Sequence, residues 1–281
     1  MRDGDEVGAE AAWDDAYRAL LVEQRLPTRE RTPELIAHSQ ARMKYLRETD
    51  PQGSWVADDG DTIIGVAQAH TRGGVWVLAA LGVVPVAQDH GVGRLLLDRA
   101  LGYADAAAPG AIFSSTDPRA MHRYIEAGFD LHPTAVALGR PHKVVVAPSG
   151  VRAGSADDMA QVNAVDRAVR GWERTGDIEF MLRIGCHLLI DEEGGGYAVI
   201  RLGRVMTLAA LAEEVASRLL LAAISSCPDD APVGVSWITA RQQWALRVVS
   251  TAGVPLMIHE SIMMRGGWEP ELPYLASGIF G

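Results

Sequence analysis

Gln88, Gly91 and Gly93 stand at a junction where one apolar run gives way to another. Leu81-Gly82-Val83-Val84-Pro85 comes before them and Arg94-Leu95-Leu96-Leu97 after. The first run predicts the end of a buried strand and the second the opening of a helix, with a short glycine-bearing loop between. A helix N-terminus offers unsatisfied backbone N–H groups and a partial positive charge, so the junction suits an anion such as a phosphate. Glycine lets such a group come close to the backbone. Two common phosphate-binding patterns are excluded. No lysine followed by serine or threonine comes after the glycines, as a nucleoside-triphosphate loop requires. Leu96 stands where a dinucleotide fingerprint needs its third glycine.

The elements around the junction follow from the pattern of the chain. Two helices are predicted first, over Glu10–Gln24 and Thr32–Arg47. Thr32-Pro33 caps the second. Strands follow at 54–57 and 62–69, joined by the turn Asp58-Asp59-Gly60-Asp61, and a central strand runs over 75–84. A helix at 93–105, a strand at 111–115, a helix capped by Asp117-Pro118 and a closing strand at 131–138 complete the first half. The stretch from 139 to 150 holds Pro141, Pro148 and two glycines, which places a domain junction at 147 to 150. Residues 151–281 repeat the order more faintly, with strands at 151–153, 187–190, 197–202, 205–208, 233–239 and 256–264 and helices between them. The fold class is therefore α/β, with mixed α+β sheets in two copies of one unit, at 1–147 and 151–281. The first copy lacks its opening strand.

With the glycines, Gln88 completes Q-x-x-G-x-G behind a strand that ends Val-Val-Pro. This stretch resembles the acyl-coenzyme A motif of the GNAT superfamily of N-acyltransferases. Downstream, Asp117 to Phe129 resembles the later motif of that family, with Tyr124, Gly128 and Phe129 in register. Asp117 stands where the family usually has asparagine. The chain is accordingly identified as a tandem member of that superfamily. The resemblance implies acetyl-coenzyme A as co-substrate. No metal is expected, because Cys186-His187 has no second ligand pair at a recognised spacing. The resemblance also implies that Gln88, Asp89, His90, Gly91, Val92, Gly93 and Arg94 hold the pyrophosphate through backbone amides, with Asp117 nearby. Val83 and Val84 would splay from the neighbouring strand and offer an edge to pantetheine. The acceptor would be a small-molecule amine or a peptide N-terminus.

Acyl transfer to an amine needs a neutral amine, a polarised carbonyl and a proton for the departing thiolate. The resemblance gives the last role to Tyr124, whose phenol is protonated at neutral pH. The central strand carries no acid or histidine, so His70 on the preceding strand is the local candidate base. His122, Asp166, His259 and Glu260 remain open. In the second half, Arg204 to Val215 has no glycine, and Glu213 and Glu214 stand at the helix start. Carboxylates there would repel a phosphate, so the second half is expected to be degenerate. A coenzyme A sensor without chemistry is the alternative function.

Composition bounds the rest. The chain has 281 residues and a formal charge of −10, which disfavours nucleic acid as a partner. No signal-like start or membrane-length apolar run is present, and a cytoplasmic location is expected. Cys186 and Cys227 fit free thiols. The apolar tail from Leu272 to Phe280 is expected to pack, against the first domain or a second subunit of a homodimer.

Overall fold

The computed structural model describes residues 1–28, 30–105, 107–228, 231–267 and 273–281. The described residues divide into two compact units: Met1–Ile112 with Asp117–Ala127, and Phe113–Thr116 with Gly128–Gly281.

The first unit opens on helix α1 (Asp5–Glu23) and α2 (Pro33–Thr49). Thr32 Oγ1 accepts from Leu35 N at 3.3 Å and Pro33 occupies the first helical turn, where its missing N–H costs nothing. Strands β1 (Ser54–Asp58), β2 (Ile63–Arg72) and β3 (Val75–Val83) form an antiparallel meander. Asp59 Oδ1 accepts from Thr62 N at 3.0 Å and closes the first hairpin. Helix α3 (Val92–Leu101) follows, and β4 (Gly110–Ser114) pairs parallel with β3 from Trp76↔Gly110 to Leu78↔Ile112. Helix α4 (Pro118–Glu126) closes the unit. Ala9, Met43 and Val66 form one of its core clusters, with Trp13 and Val56 against them.

The second unit takes in β5 (Asp130–Gly139), which comes after α4 in sequence. It continues with β6 (Val151–Ala153), α5 (Met159–Arg170), α6 (Thr175–Arg183), β7 (His187–Asp191), β8 (Gly196–Arg201) and β9 (Arg204–Ala210). Then come α7 (Glu213–Ser225), β10 (Val233–Ile238), α8 (Gln243–Ala252), β11 (Leu256–Arg265) and β12 (Tyr274–Leu275). Its strands run in the order β11-β5-β10-β9-β8-β7-β6, with β12 on β9. Leu208, Leu219, Trp244 and Val249 lie in its core.

The predicted elements and their order are present, including the absence of a strand before α1 among the described residues. Two placements are not apparent from chain order. Strand β5, read as the closing strand of the first half, is hydrogen-bonded between β10 and β11. The apolar tail, read as packing on the first domain or a second subunit, packs on β9 within its own unit. Leu272 lies outside the described residues.

Two strained residues mark the ladders around β5. Register shifts between Val235 and Ile238 on β10 and between Ile258 and Ser261 on β11 each contain a non-glycine residue at positive φ, Trp237 at 61° and Glu260 at 67°. Such backbone costs of order 1–3 kcal/mol and persists only where surroundings enforce it. Burial pushes the Glu260 carboxyl up to about 7, against the opposing pull of Arg204 and Ser236. The folded protein thus binds this proton more tightly than the unfolded chain, and stability is lost as pH rises from the ordinary carboxylate range through about 7. Denaturant titrations of wild type and Glu260→Gln at pH 5 and pH 8 should show the variant gaining about 2–3 kcal/mol on the wild type across that interval. A gap that stays constant with pH would contradict the assignment.

Candidate active site

The site is built where β3 leaves β4. The last β3–β4 rung is Leu78↔Ile112. On the other side of β3 the ladder to β2 passes from Ala69↔Leu78 to Gln68↔Ala80, so Ala79 is an extra, bulged residue. A bulge bends a strand and re-aims the residues beyond it. Past Ala79, β3 runs on to Val83, and among the described residues no strand pairs with its edge on the β4 side. The sequence pointed to Val83 and Val84 as the place of splaying, whereas the divergence begins at Ala79. Val84 N instead donates to Ile64 O at 3.0 Å.

After β3 the chain makes a single 3-10 turn over Pro85–Ala87 and enters the glycine loop. Asp89 has φ 64° and Gly91 has φ 80°. Gly91 is therefore required by its own backbone conformation. Gly93 is different. A Cβ there would meet only Val83 Cγ2, at an ordinary 3.6 Å. Neither packing nor conformation calls for glycine at 93, so its remaining effect is to leave the first turn of α3 bare. No side chain caps that turn, and its N–H groups stay available to an anion.

Side chains hold the loop in place. Gln88 Nε2 donates to Val83 O at 2.9 Å and so ties the loop back to the end of β3. Its Oε1 accepts from Arg119 Nη1 at 3.0 Å. His90 Nδ1 lies 2.6 Å from Gln88 O. Arg119 also donates from Nη2 to Glu23 at 3.0 Å and from Nε to Asp117 Oδ1 at 3.0 Å. Asp117 meanwhile caps α4 by accepting from Arg119 N at 2.9 Å. The aspartate that replaces the expected asparagine is thus engaged as a helix cap and as the counter-charge of Arg119.

Between the loop and α4 lies a cavity of about 710 Å³, with Gly91 and Arg94 on one side and Arg119, His122 and Arg123 on the other. Asp89 and Glu126 also reach it, and Arg119 is already paired with Asp117 and Glu23, so carboxylates balance the guanidinium groups. The group that favours an anion there is the uncapped start of α3. Sequence reasoning missed Arg119 and Arg123. A signal for Arg119 was available: a cation in the first turn of a helix opposes the macrodipole and calls for a reason.

The candidate catalytic residues are placed apart. Tyr124, on α4, is 5% exposed. Burial first, then the Asp117 charge, pushes its phenol well above the ordinary value, so it keeps its proton across the physiological range. His70 is fully buried on β2 and pairs with Val77. It lies five rungs from the Gly65↔Val83 pair, or ~17 Å along the strand. His122 is exposed and lies 3.3 Å from Glu126. In the second unit, α7 begins at Glu213 behind Ala212, with Glu213 and Glu214 in its first turn.

Residues 14–129 match the model of the acetyltransferase (GNAT) family. No curated protein matches the chain. Several solved structures share its fold. One from Pyrococcus horikoshii, described as an acetyltransferase, aligns at a TM-score of 0.76 and 19% identity over 99% of this chain and 92% of its own. A tandem GNAT protein from the clavulanic acid biosynthesis pathway aligns at 0.59 and 13% identity, covering 95% of this chain and 97% of its own. A GCN5-related N-acetyltransferase from Sphaerobacter thermophilus gives 0.56 and 12%, over 94% and 93%. The match over 14–129 covers the bulged strand, the glycine loop and α4 together, so it is this segment of the chain that is similar to the acetyltransferase (GNAT) family.

Proposed function

We propose that the chain moves an acetyl group from acetyl-coenzyme A to an amine, a small molecule or a peptide N-terminus, with one coenzyme A site in the first of two copies at 1–147 and 151–281. The observation that carries this reading is the bare first turn of α3 facing an arginine-lined cavity, behind a strand with an open edge. The residues fit the co-substrate. Backbone amides from Gln88 to Arg94 suit its pyrophosphate, and the β3 edge past Ala79, up to Val83, suits the amide groups of its pantetheine. Acetyl-coenzyme A supplies the activated thioester. Asp117 acts on the site through Arg119, which pins Gln88 and with it the loop.

In the chemical step, the neutral amine nitrogen attacks the thioester carbonyl, the carbon–sulfur bond breaks, the thiolate takes a proton from a donor in the site, and the proton shed by the nitrogen passes through solvent to restore that donor. Tyr124 is the proton donor in this reading. Its buried phenol is protonated at neutral pH and so has a proton to offer the departing sulfur. His70, fully buried on β2 and paired with Val77, lies one rung from Leu78, where β3 leaves β4, and is a buried neighbour of the site. With no carboxylate on β3, an amine that arrives neutral meets the need for deprotonation. A cytoplasmic location accords with the two free cysteines.

The two glycines separate stability from binding. Gly91→Ala forces a side chain into a left-handed backbone and should cost about 1 kcal/mol in a denaturant titration. Gly93→Glu keeps a helical conformation and places an acid in the first turn of α3, which helices tolerate well. It should fold normally and lose acetyl-coenzyme A binding by about a hundredfold or more, because the carboxylate occupies the phosphate position. Isothermal titration would read this directly. Wild type should bind at one site per chain. A folded wild type that binds nothing would sink the proposal.

Tyr124→Phe should lower kcat by ~10²–10⁴ with little change in acetyl-coenzyme A affinity. Thioester cleavage followed across a panel of amines checks it. Binding with no turnover on any amine would leave a coenzyme A sensor instead.

A further inference from the structure

The second unit repeats the irregularity that builds the first unit's cleft. On β9, the ladder to β8 passes from Ile200↔Val205 to Val199↔Thr207, so Met206 is a bulged residue. The parallel β9–β10 ladder ends one residue earlier, at Val235↔Val205. In both units, then, a parallel pair stops at a bulge in its inner strand and the two strands part. Counted from the bulge, Leu208 and Ala209 correspond to Leu81 and Gly82.

This second cleft is filled. Leu275 pairs with Leu208 and Tyr274 with Ala209, antiparallel, and Ala210 N donates to Pro273 O at 3.1 Å. The Thr207 hydroxyl donates to Leu275 O at 2.9 Å, and Gln242 Nε2 to Tyr274 O at 2.7 Å. The segment is buried to its end: Tyr274, Leu275 and Phe280 are at most 1% exposed. Gly278 seats it against the Trp237 indole, since a Cβ there would come within 2.8 Å of Nε1. The Gly281 carbonyl oxygen accepts from Arg170 Nη1 at 2.7 Å, Arg174 Nη1 at 2.8 Å and the Tyr274 hydroxyl. Arg174 is itself fixed by Asp166 and Tyr197, both buried.

We infer that the second unit retains a strand-edge binding cleft and that segment 273–281 is its ligand. The class of ligand is an extended peptide, taken by backbone pairing at Leu208 and Ala209 and read at its far carbonyl by Arg170 and Arg174. Coenzyme A is thereby kept from this unit by an occupant, in addition to the missing glycines and the acids of α7. The correspondence with a coenzyme A cleft rests on the function proposed above; the occupancy of the cleft does not.

Hydrogen–deuterium exchange on the intact chain, alone and with acetyl-coenzyme A, tests the inference. In the protein alone, amides at 208–210 and 274–275 should exchange as slowly as those of β8. Acetyl-coenzyme A should slow exchange at 81–94 and leave 208–210 and 273–281 unchanged. Tyr274→Phe, which removes the hydroxyl shared by Arg170, Arg174 and Gly281, should speed exchange at 277–281 about tenfold without altering acetyl-coenzyme A affinity. Free exchange at 274–275 in the protein alone would overturn the inference. So would a co-substrate that protects 208–210 while releasing 273–281. If acetyl-coenzyme A binds nowhere, the first-unit reading fails and exchange in the protein alone still decides this one. If Tyr274→Phe does not fold, the wild-type comparison decides it.

Discussion

Two parallel strands that diverge leave a row of backbone N–H and C=O groups without partners, and buried groups of that kind must be satisfied by something. This constraint governs both halves of the chain. Each half bends its inner strand with one extra residue, Ala79 or Met206, and opens a gap beside it. The halves differ in how the open edge is satisfied. In the second, Pro273 to Leu275 of the same chain fill it. In the first, among the described residues, no strand pairs with the β4-side edge past Ala79. The two halves share the bulge and differ in what lies beside it.

Electrostatics obeys the same division. The glycine loop meets an uncapped helix and a cavity lined by Arg94, Arg119 and Arg123. Its counterpart in the second half carries Glu213 and Glu214, which stabilise α7 through the macrodipole and repel an anion. Asp117 shows how a departure from a family's usual residue can be absorbed. A carboxylate beside a phosphate site would be unfavourable on its own. Here its charge is met by Arg119, two residues on, and its oxygen satisfies the N-terminus of α4. The guanidinium then carries the link to Gln88.

The features that could be read from the sequence were local. Thr32-Pro33 and Asp117-Pro118 announce helix starts because caps are made by adjacent residues. Gly91 and Gly93 are legible by their spacing between the end of one apolar run and the start of the next; the positive φ of Gly91 and the open space at Gly93 are seen only in the folded chain. The alternation of elements, the repeat and the absence of an opening strand come from hydrophobic period alone. The features that stayed hidden were non-local. Ala79 and Met206 are ordinary apolar residues, and only a ladder reveals that they have no opposite number. The role of Arg119 depends on Gln88 and Glu23, residues far away in sequence. Nothing in Tyr274-Leu275 indicates that β9 is its partner, and nothing around His70 announces that it is buried.

The pairing of β5 bears on how the chain comes into being. Asp130–Gly139 finds its neighbours in Val233–Ile238 and Leu256–Arg265. On a ribosome adding ~5–20 residues per second, this strand emerges on the order of ten seconds before the strand that will lie beside it. Until then its edges are bare, and Ala135, Val136 and Ala137, buried in the finished protein, face solvent. Long-range pairing of this kind folds slowly. Until β11 appears, β5 lacks one of the two strands that lie beside it, and the growing chain carries an unpaired apolar edge.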